Sequence, residues 1–190
     1  MGKYFLIGIP DCGKSTLGKL AADVLKFPYF DTDVMACDLL DFKSTADIFR
    51  AAFNQGFLNA QRAAINEIAK LDGNAIISTG AEVSLISECT RQMCALGTII
   101  HIIRKHEIIL EHIRKSRKSK LVLRDVTNGT EINMQENAID LYMQEYPKYE
   151  AIADFSFDNN GSEDEGVQKL VILINQCQAI NKEIHIVKIQ

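Results

Sequence analysis

Apolar positions along the chain alternate between two periods. The run "KYFLIGI" (3–9) is almost continuously apolar, as a strand buried on both faces must be. "GKSTLGKLAADVLK" (13–26) then repeats at helical spacing, placing Leu17, Leu20, Ala21 and Val24 on one face. "PYFDTD" (28–33) predicts a second strand. "STADIFRAAF" (44–53), opened by Ser44 or Thr45 with Asp47 near the first turn, and "GFLNAQRAAINEIAKL" (56–71) predict two helices. "NAIISTG" (74–80) predicts a third strand, "SLISECTRQMCALG" (84–97) a helix ending at Gly97, and "TIIHIIR" (98–104) a fourth strand.

The helix predicted over "HEIILEHIRKSRKSK" (106–120) runs into a basic stretch and then "LRDVTNGT" (123–130), whose Asn128-Gly129 marks a turn. "NMQENAIDLYMQEYPKYEAIA" (133–153) reads as a helix stopped or kinked near Pro147, and "DFSFDNN" (154–160) as a fifth strand. "SEDEGVQKLVILINQCQ" (162–178) reads as a helix with acids in its first turn, and "EIHIVKI" (183–189) as an extra edge strand. Strands alternating with helices predict an α/β domain built on a parallel sheet. Phe49, Phe53 and Phe57, four residues apart, read as core.

At 190 residues, with no Pro-, Gly- or Ser-rich linker, the chain is expected to form a single domain, residues 1–190. The net charge of −4 argues against a general nucleic-acid binder. The apolar runs are too short for a membrane span, and the chain enters a strand without a leader, so a cytoplasmic protein with no membrane partner is expected. Five cysteines without a C-x-x-C pair suggest neither a disulfide framework nor a zinc site, and the four histidines lack ligand spacing.

Chemistry concentrates first in "GIPDCGKST" (8–16), where Gly8, Gly13, Lys14 and Ser15 satisfy G-x-x-x-x-G-K-[ST] between a strand and a helix. The loop amides and the helix N-terminus would converge on a phosphate chain, so a nucleotide site is preferred to a merely glycine-rich turn. Lys14 would neutralise the β- and γ-phosphates, Ser15 would offer its hydroxyl to Mg²⁺, and Thr16 would hold the loop and the α-phosphate. Asp11 and Cys12 complete the loop, with Cys12 read as packing in preference to a redox thiol near a helix N-terminus. The second concentration is "DTD" (31–33). It ends the second strand, so Asp31 and Asp33 face the same side, one suited to orienting Mg²⁺ waters and the other to accepting a proton from an attacking hydroxyl; the alternative is a solvated turn.

The order of this loop, "YFDTDV", "STADIFRAAFNQGF", "IISTGAEV", "TIIHI" and "YPKYEAIADFSFD" resembles the shikimate kinases over most of the chain. The resemblance implies a three-layer P-loop NTPase sandwich with a five-stranded parallel sheet in order 2-3-1-4-5. It also implies acceptor-binding helices at about 34–72, a helical lid at about 114–132, and a monomer transferring the ATP γ-phosphoryl to a small hydroxylated metabolite with Mg²⁺. By the same resemblance Asp31 takes the place of the magnesium-shell aspartate, Asp33 that of the carboxylate holding the substrate hydroxyls, and Arg114 that of the arginine stacked on adenine. Lys120 stands in for the catalytic lid arginine, with Arg117 and Arg124 as rivals.

The acceptor site departs from the family. The family's "F-R-x-x-E" reads "FLNAQ", with Leu58 in place of the carboxylate-binding arginine; a second arginine is replaced by Glu145 in "QEYPKY". The glycine triplet after the third strand has become Thr79, Gly80 and Ala81, followed by Glu82. The expected acceptor is therefore neutral or cationic and not shikimate. Two rival readings are an ATP-binding regulatory protein that no longer transfers phosphate, and a nucleoside or nucleotide kinase.

Overall fold

Strand β1 (Lys3–Ile7) is buried along its whole length and forms the middle of a five-stranded parallel sheet. The computed structural model describes residues 2–51, 54–115, 122–124, 131–133 and 143–187. After β1 come α1 (Lys14–Leu25), β2 (Tyr29–Asp31), α2 (Thr32–Leu39), α3 (Thr45–Arg50), α4 (Asn54–Ala69) and β3 (Ala75–Ser78). A 3-10 turn (Val83–Leu85) leads into α5 (Ser87–Leu96), β4 (Gly97–Ile103), α6 (His106–Lys115), β5 (Val122–Arg124) and β6 (Glu131–Asn133). The chain continues through α7 (Tyr146–Ile152) and β7 (Phe155–Asp158) to α8 (Glu163–Val187). The sheet order is β2-β3-β1-β4-β7, which is 2-3-1-4-5 when its five strands are counted in sequence.

Helices α1 and α8 pack on each other, and with α5 and α7 they close the main core around β1, β3 and β4. On α1 the buried positions are Lys14, Leu17, Gly18, Ala21 and Ala22, while Val24, expected on this face, is 59 % exposed. A separate small core of Ala36, Cys37, Ile48, Phe57 and Ala60 ties α2, α3 and α4 together. Phe57 is core as predicted; the side chains of Phe49 and Phe53 lie outside the described residues. The α2–α4 group is thus held as a unit beside the C-terminal ends of β2 and β3, where α/β sheets bind ligands.

Three expectations are corrected. "EIHIVKI" does not form an edge strand: its residues through Val187 continue α8, a 25-residue helix. Between Val167 and Val187 there is neither glycine nor proline to end the helix, and local alternation loses to propagation. Within the expected helical lid at about 114–132, residues 114–115 end α6, but residues 122–124 and 131–132 are strand, β5 pairing antiparallel with β6; the other lid residues, the Asn128-Gly129 turn included, lie outside the described residues. Asp33 does not sit in a strand. Asp31 Oδ1 accepts the backbone N–H groups of Asp33 at 3.0 Å and Val34 at 3.4 Å, so Asp31 caps α2 and the helix begins at Thr32.

Candidate active site

The loop between β1 and α1 is shaped by backbone geometry few residues tolerate. Gly13 has φ 105°, and a Cβ there would lie 2.5 Å from Asn159 Nδ2, so only glycine fits. Since Gly13 is also the N-cap of α1, no side chain covers the amides of the first turn. Asn159, buried after β7, donates from Nδ2 to the Cys12 carbonyl at 2.8 Å and anchors the loop from the far edge of the sheet. Cys12 is fully buried, as its packing role requires.

Lys14 is 8 % exposed, and its Nζ donates to the carbonyls of Gly8 at 2.8 Å and Ile9 at 2.9 Å. A cleft of about 390 Å³ opens over the loop, lined by Asp11, Gly13, Lys14, Ser15 and Thr16 on one side. Arg104, His112, Asn159 and Glu163 line the other side. Arg104, His112 and Asn159 are additions to the expected site. Arg104 at the carboxyl end of β4 had a signal, the strand-end position; the other two are brought in by tertiary packing.

At the other end of the loop, Ser15 Oγ donates to Asp31 Oδ2 at 2.7 Å, and Tyr29 OH donates to the same oxygen at 3.1 Å. Burial, opposed by a hydrogen bond with Ser78, pushes the Tyr29 phenol up to about 12, so it remains a donor. Asp33, in the first turn of α2, accepts a hydrogen bond from Gln61 Nε2 on α4. Burial is the main cause that raises the Asp33 carboxyl to about 6; Asp31 and Glu82 push the same way, while Lys14 and Gln61 oppose them.

Gly80 lies against this pair. A Cβ at Gly80 would collide with both the Gln61 amide and Asp33 Oδ1, and Gly80 N donates to Thr32 Oγ1 at 2.8 Å. Gly80→Ala is therefore expected to cost about 1–3 kcal/mol of stability by overpacking, measured by urea unfolding, and to displace Asp33. Ala81 offers its carbonyl to Tyr149 OH at 3.2 Å. Leu58, half-buried, shares a face of α4 with Gln61. Glu145 is ion-paired to Lys148 on α7. The side chain of Arg114 and all of Lys120 and Arg117 lie outside the described residues, as does the side chain of Arg124.

Gln61 was the residue the sequence concealed. It occupies the last position of "FLNAQ", where the family pattern has glutamate, and the altered letter was its only signal. Arg62, the next cation on α4, does not replace the absent arginine: its Nη1 donates to Asn59 Oδ1 at 3.3 Å, and it lies near Cys89 of α5.

The donor set suits Mg²⁺. Among the described residues no cluster of three or more His, Cys, Asp or Glu forms a dedicated metal cage. Ser15 and Asp31 instead present two oxygens beside an anion-binding loop, which matches an ion held largely by water and phosphate.

A glycine-shaped loop opening α1, a lysine inside it and paired aspartates across the sheet define a P-loop kinase. The shikimate kinase family profile matches residues 10–175. A shikimate kinase from Clostridium botulinum (strain Alaska E43 / Type E3) is 32% identical over 177 residues, covering 91% of this chain and 98% of that one. In structure, shikimate kinase from Bacteroides thetaiotaomicron superposes with TM-score 0.74 at 21% identity, covering 92% of this chain and 98% of the other. The Acinetobacter baumannii enzyme in complex with shikimate superposes at 0.72 and 20% identity, covering 93% and 94%. The chain belongs to the shikimate kinase family. Among the described residues, no helix is long and apolar enough to cross a membrane.

Proposed function

We propose that the protein transfers the γ-phosphoryl group of ATP, with Mg²⁺, to a hydroxyl of a small neutral or cationic metabolite. The observation that carries this reading is the continuous cluster from Lys14 through Ser15 and Asp31 to Asp33, which sets a phosphate loop beside a half-buried carboxylate. The loop amides and Lys14 bind the phosphate chain. Ser15 and Asp31 would hold Mg²⁺, which supplies charge neutralisation of the phosphate oxygens when bound. Asp33 accepts the hydrogen bond, and then the proton, of the attacking hydroxyl. Thr16 and Asp11 border the phosphates, and Arg114 with Arg104 and His112 takes the base side. Lys120 closes from the lid. Leu58, Gly80, Ala81, Glu82 and Glu145 surround the acceptor, and the enzyme works as a monomer.

Shikimate itself fits poorly because Leu58 offers its carboxylate no partner, and Glu82 adds negative charge near Asp33. Leu58→Arg is expected to lower KM for shikimate about 10–100-fold, the equivalent of a charge-assisted hydrogen bond of about 1.5–3 kcal/mol. Steady-state kinetics with Mg·ATP would measure it. The function as a whole is tested by incubating the protein with labelled Mg·ATP and a panel of neutral, cationic and acidic polyols. Phosphorylation of a neutral or cationic member is expected. Absence of Mg-dependent ATP binding ends the reading.

A further inference from the structure

Gln61 uses only half of its hydrogen-bonding capacity. Its side chain is 1 % exposed and donates through Nε2 to Asp33, yet Oε1, the other end of the same planar amide, is buried and accepts from no donor among the described residues. The amide cannot simply turn over, because Oε1 would then face the Asp33 carboxylate. The Gly80 N–H is committed to Thr32, and Arg62, the next residue on α4, turns Nη1 to Asn59 and bonds Gln61 through none of its nitrogens, its own Nε being buried without a partner among the described residues. A buried carbonyl without a partner is costly, so the position calls for a donor brought by something bound.

The surroundings restrict what that donor can belong to. Asp31 and Glu82 both bear on Asp33, and Lys14 is engaged by the loop carbonyls. A hydroxyl or ammonium supplies a proton to Oε1 and tolerates these carboxylates. A carboxylate supplies none and adds like charge.

We infer that Gln61 selects the phosphate acceptor: Nε2 holds Asp33 in place while Oε1 takes a hydrogen bond from a second hydroxyl or amino group of the acceptor, favouring neutral or cationic polyols over their acids. This rests on the reading of the chain as a small-molecule kinase whose acceptor lies at Asp33. Gln61 acts here as a specificity-determining and positioning residue.

The test uses the full chain saturated with Mg·ADP, as wild type, Gln61→Leu and Gln61→Glu. Each is titrated calorimetrically with matched probes: methyl shikimate against shikimate, glucose against gluconate, and inositol against glucuronate. In the wild type the neutral member of a binding pair is expected to bind at least about 10-fold more tightly, the worth of one good hydrogen bond. Gln61→Leu, which removes the acceptor oxygen, should erase most of that ratio, whereas Gln61→Glu, which keeps an acceptor oxygen and adds negative charge, should keep or raise it. A packing defect alone would weaken both members alike and leave the ratio unchanged. In ¹⁵N-labelled wild type, the Gln61 side-chain amide resonance, assigned by its loss in Gln61→Leu, should shift with the neutral probe. Equal or tighter binding of the acids by the wild type, an unchanged ratio in Gln61→Leu, or binding of no probe to the Mg·ADP-loaded protein overturns the inference. Failure of Mg·ADP itself to bind overturns the kinase reading as well, so the two failures are distinct.

Discussion

Asp33→Asn is expected to lower kcat/KM by about 10²–10⁴, the usual worth of a positioned general base, while making the protein more stable at alkaline pH. The two effects share one cause. Burial raises the Asp33 carboxyl from 3.8 to about 6, with Asp31 and Glu82 adding to it, so the folded chain holds this proton more tightly than the unfolded chain. Its contribution to stability is complete below pH 3.8 and is lost as pH rises through about 6. Above that, the ionised carboxylate weighs against the fold by on the order of 1–3 kcal/mol. Asparagine keeps the shape and an acceptor for Gln61 Nε2 but never ionises. Urea unfolding should therefore show the variant more stable than wild type at pH 8 and the advantage gone at pH 4. The wild-type pH profile of kcat/KM should rise through an apparent value near 6, and that limb should vanish in the variant. Equal stability of the two proteins at pH 8 would mean that the site does not disfavour the charge.

The phosphate loop was legible because it rests on local pattern, while the sheet order followed only from the resemblance to the shikimate kinases. β1 is apolar at consecutive positions and buried at all of them, and the loop motif must follow such a strand to aim its amides. The errors come from competition between local signals and longer ones. "DTD" looks strand-like by continuity with "PYF", but an aspartate at the strand end caps the next helix, and Asp31 does so with two backbone bonds. "EIHIVKI" alternates like a strand, yet a helix already formed adds residues at little cost when nothing breaks it. Val24 shows the limit of a helical wheel, which gives the apolar stripe but not which part of it the sheet covers. Gln61 and Asn159 were hidden for another reason. Each acts through one contact with a residue far along the chain, Gln61 with Asp33 and Asn159 with Cys12, and no period or motif encodes such a meeting.

Lys14→Ala is expected to reduce phosphoryl transfer by about 10³-fold, as when a fixed electrostatic stabiliser is removed from a closed site. The loss should exceed that of any single loop neighbour because this cation has no understudy among the described residues of the loop. His101, another base beside the loop, lies fully buried against Gly8, and burial, then the charge of Lys14, pushes it down to about 4, so it is neutral at physiological pH. Lys14 also carries a structural load. Its ammonium bonds the carbonyls of Gly8 and Ile9, so the alanine variant leaves two loop carbonyls without that donor and should lower the melting temperature of the nucleotide-free protein too. Lys14→Arg separates the two contributions: it restores charge but brings a planar fork into a site only 8 % exposed and shaped around a compact ammonium. Thermal unfolding, Mg·ATP titration and single-turnover transfer on all three proteins would resolve the case. The arginine variant should recover nucleotide affinity in part and transfer hardly at all, since bringing charge near the phosphates aids binding, whereas stabilising the transferring group demands placement. An alanine variant that transfers phosphate within about 10-fold of wild type would dismiss the loop as the catalytic phosphate site.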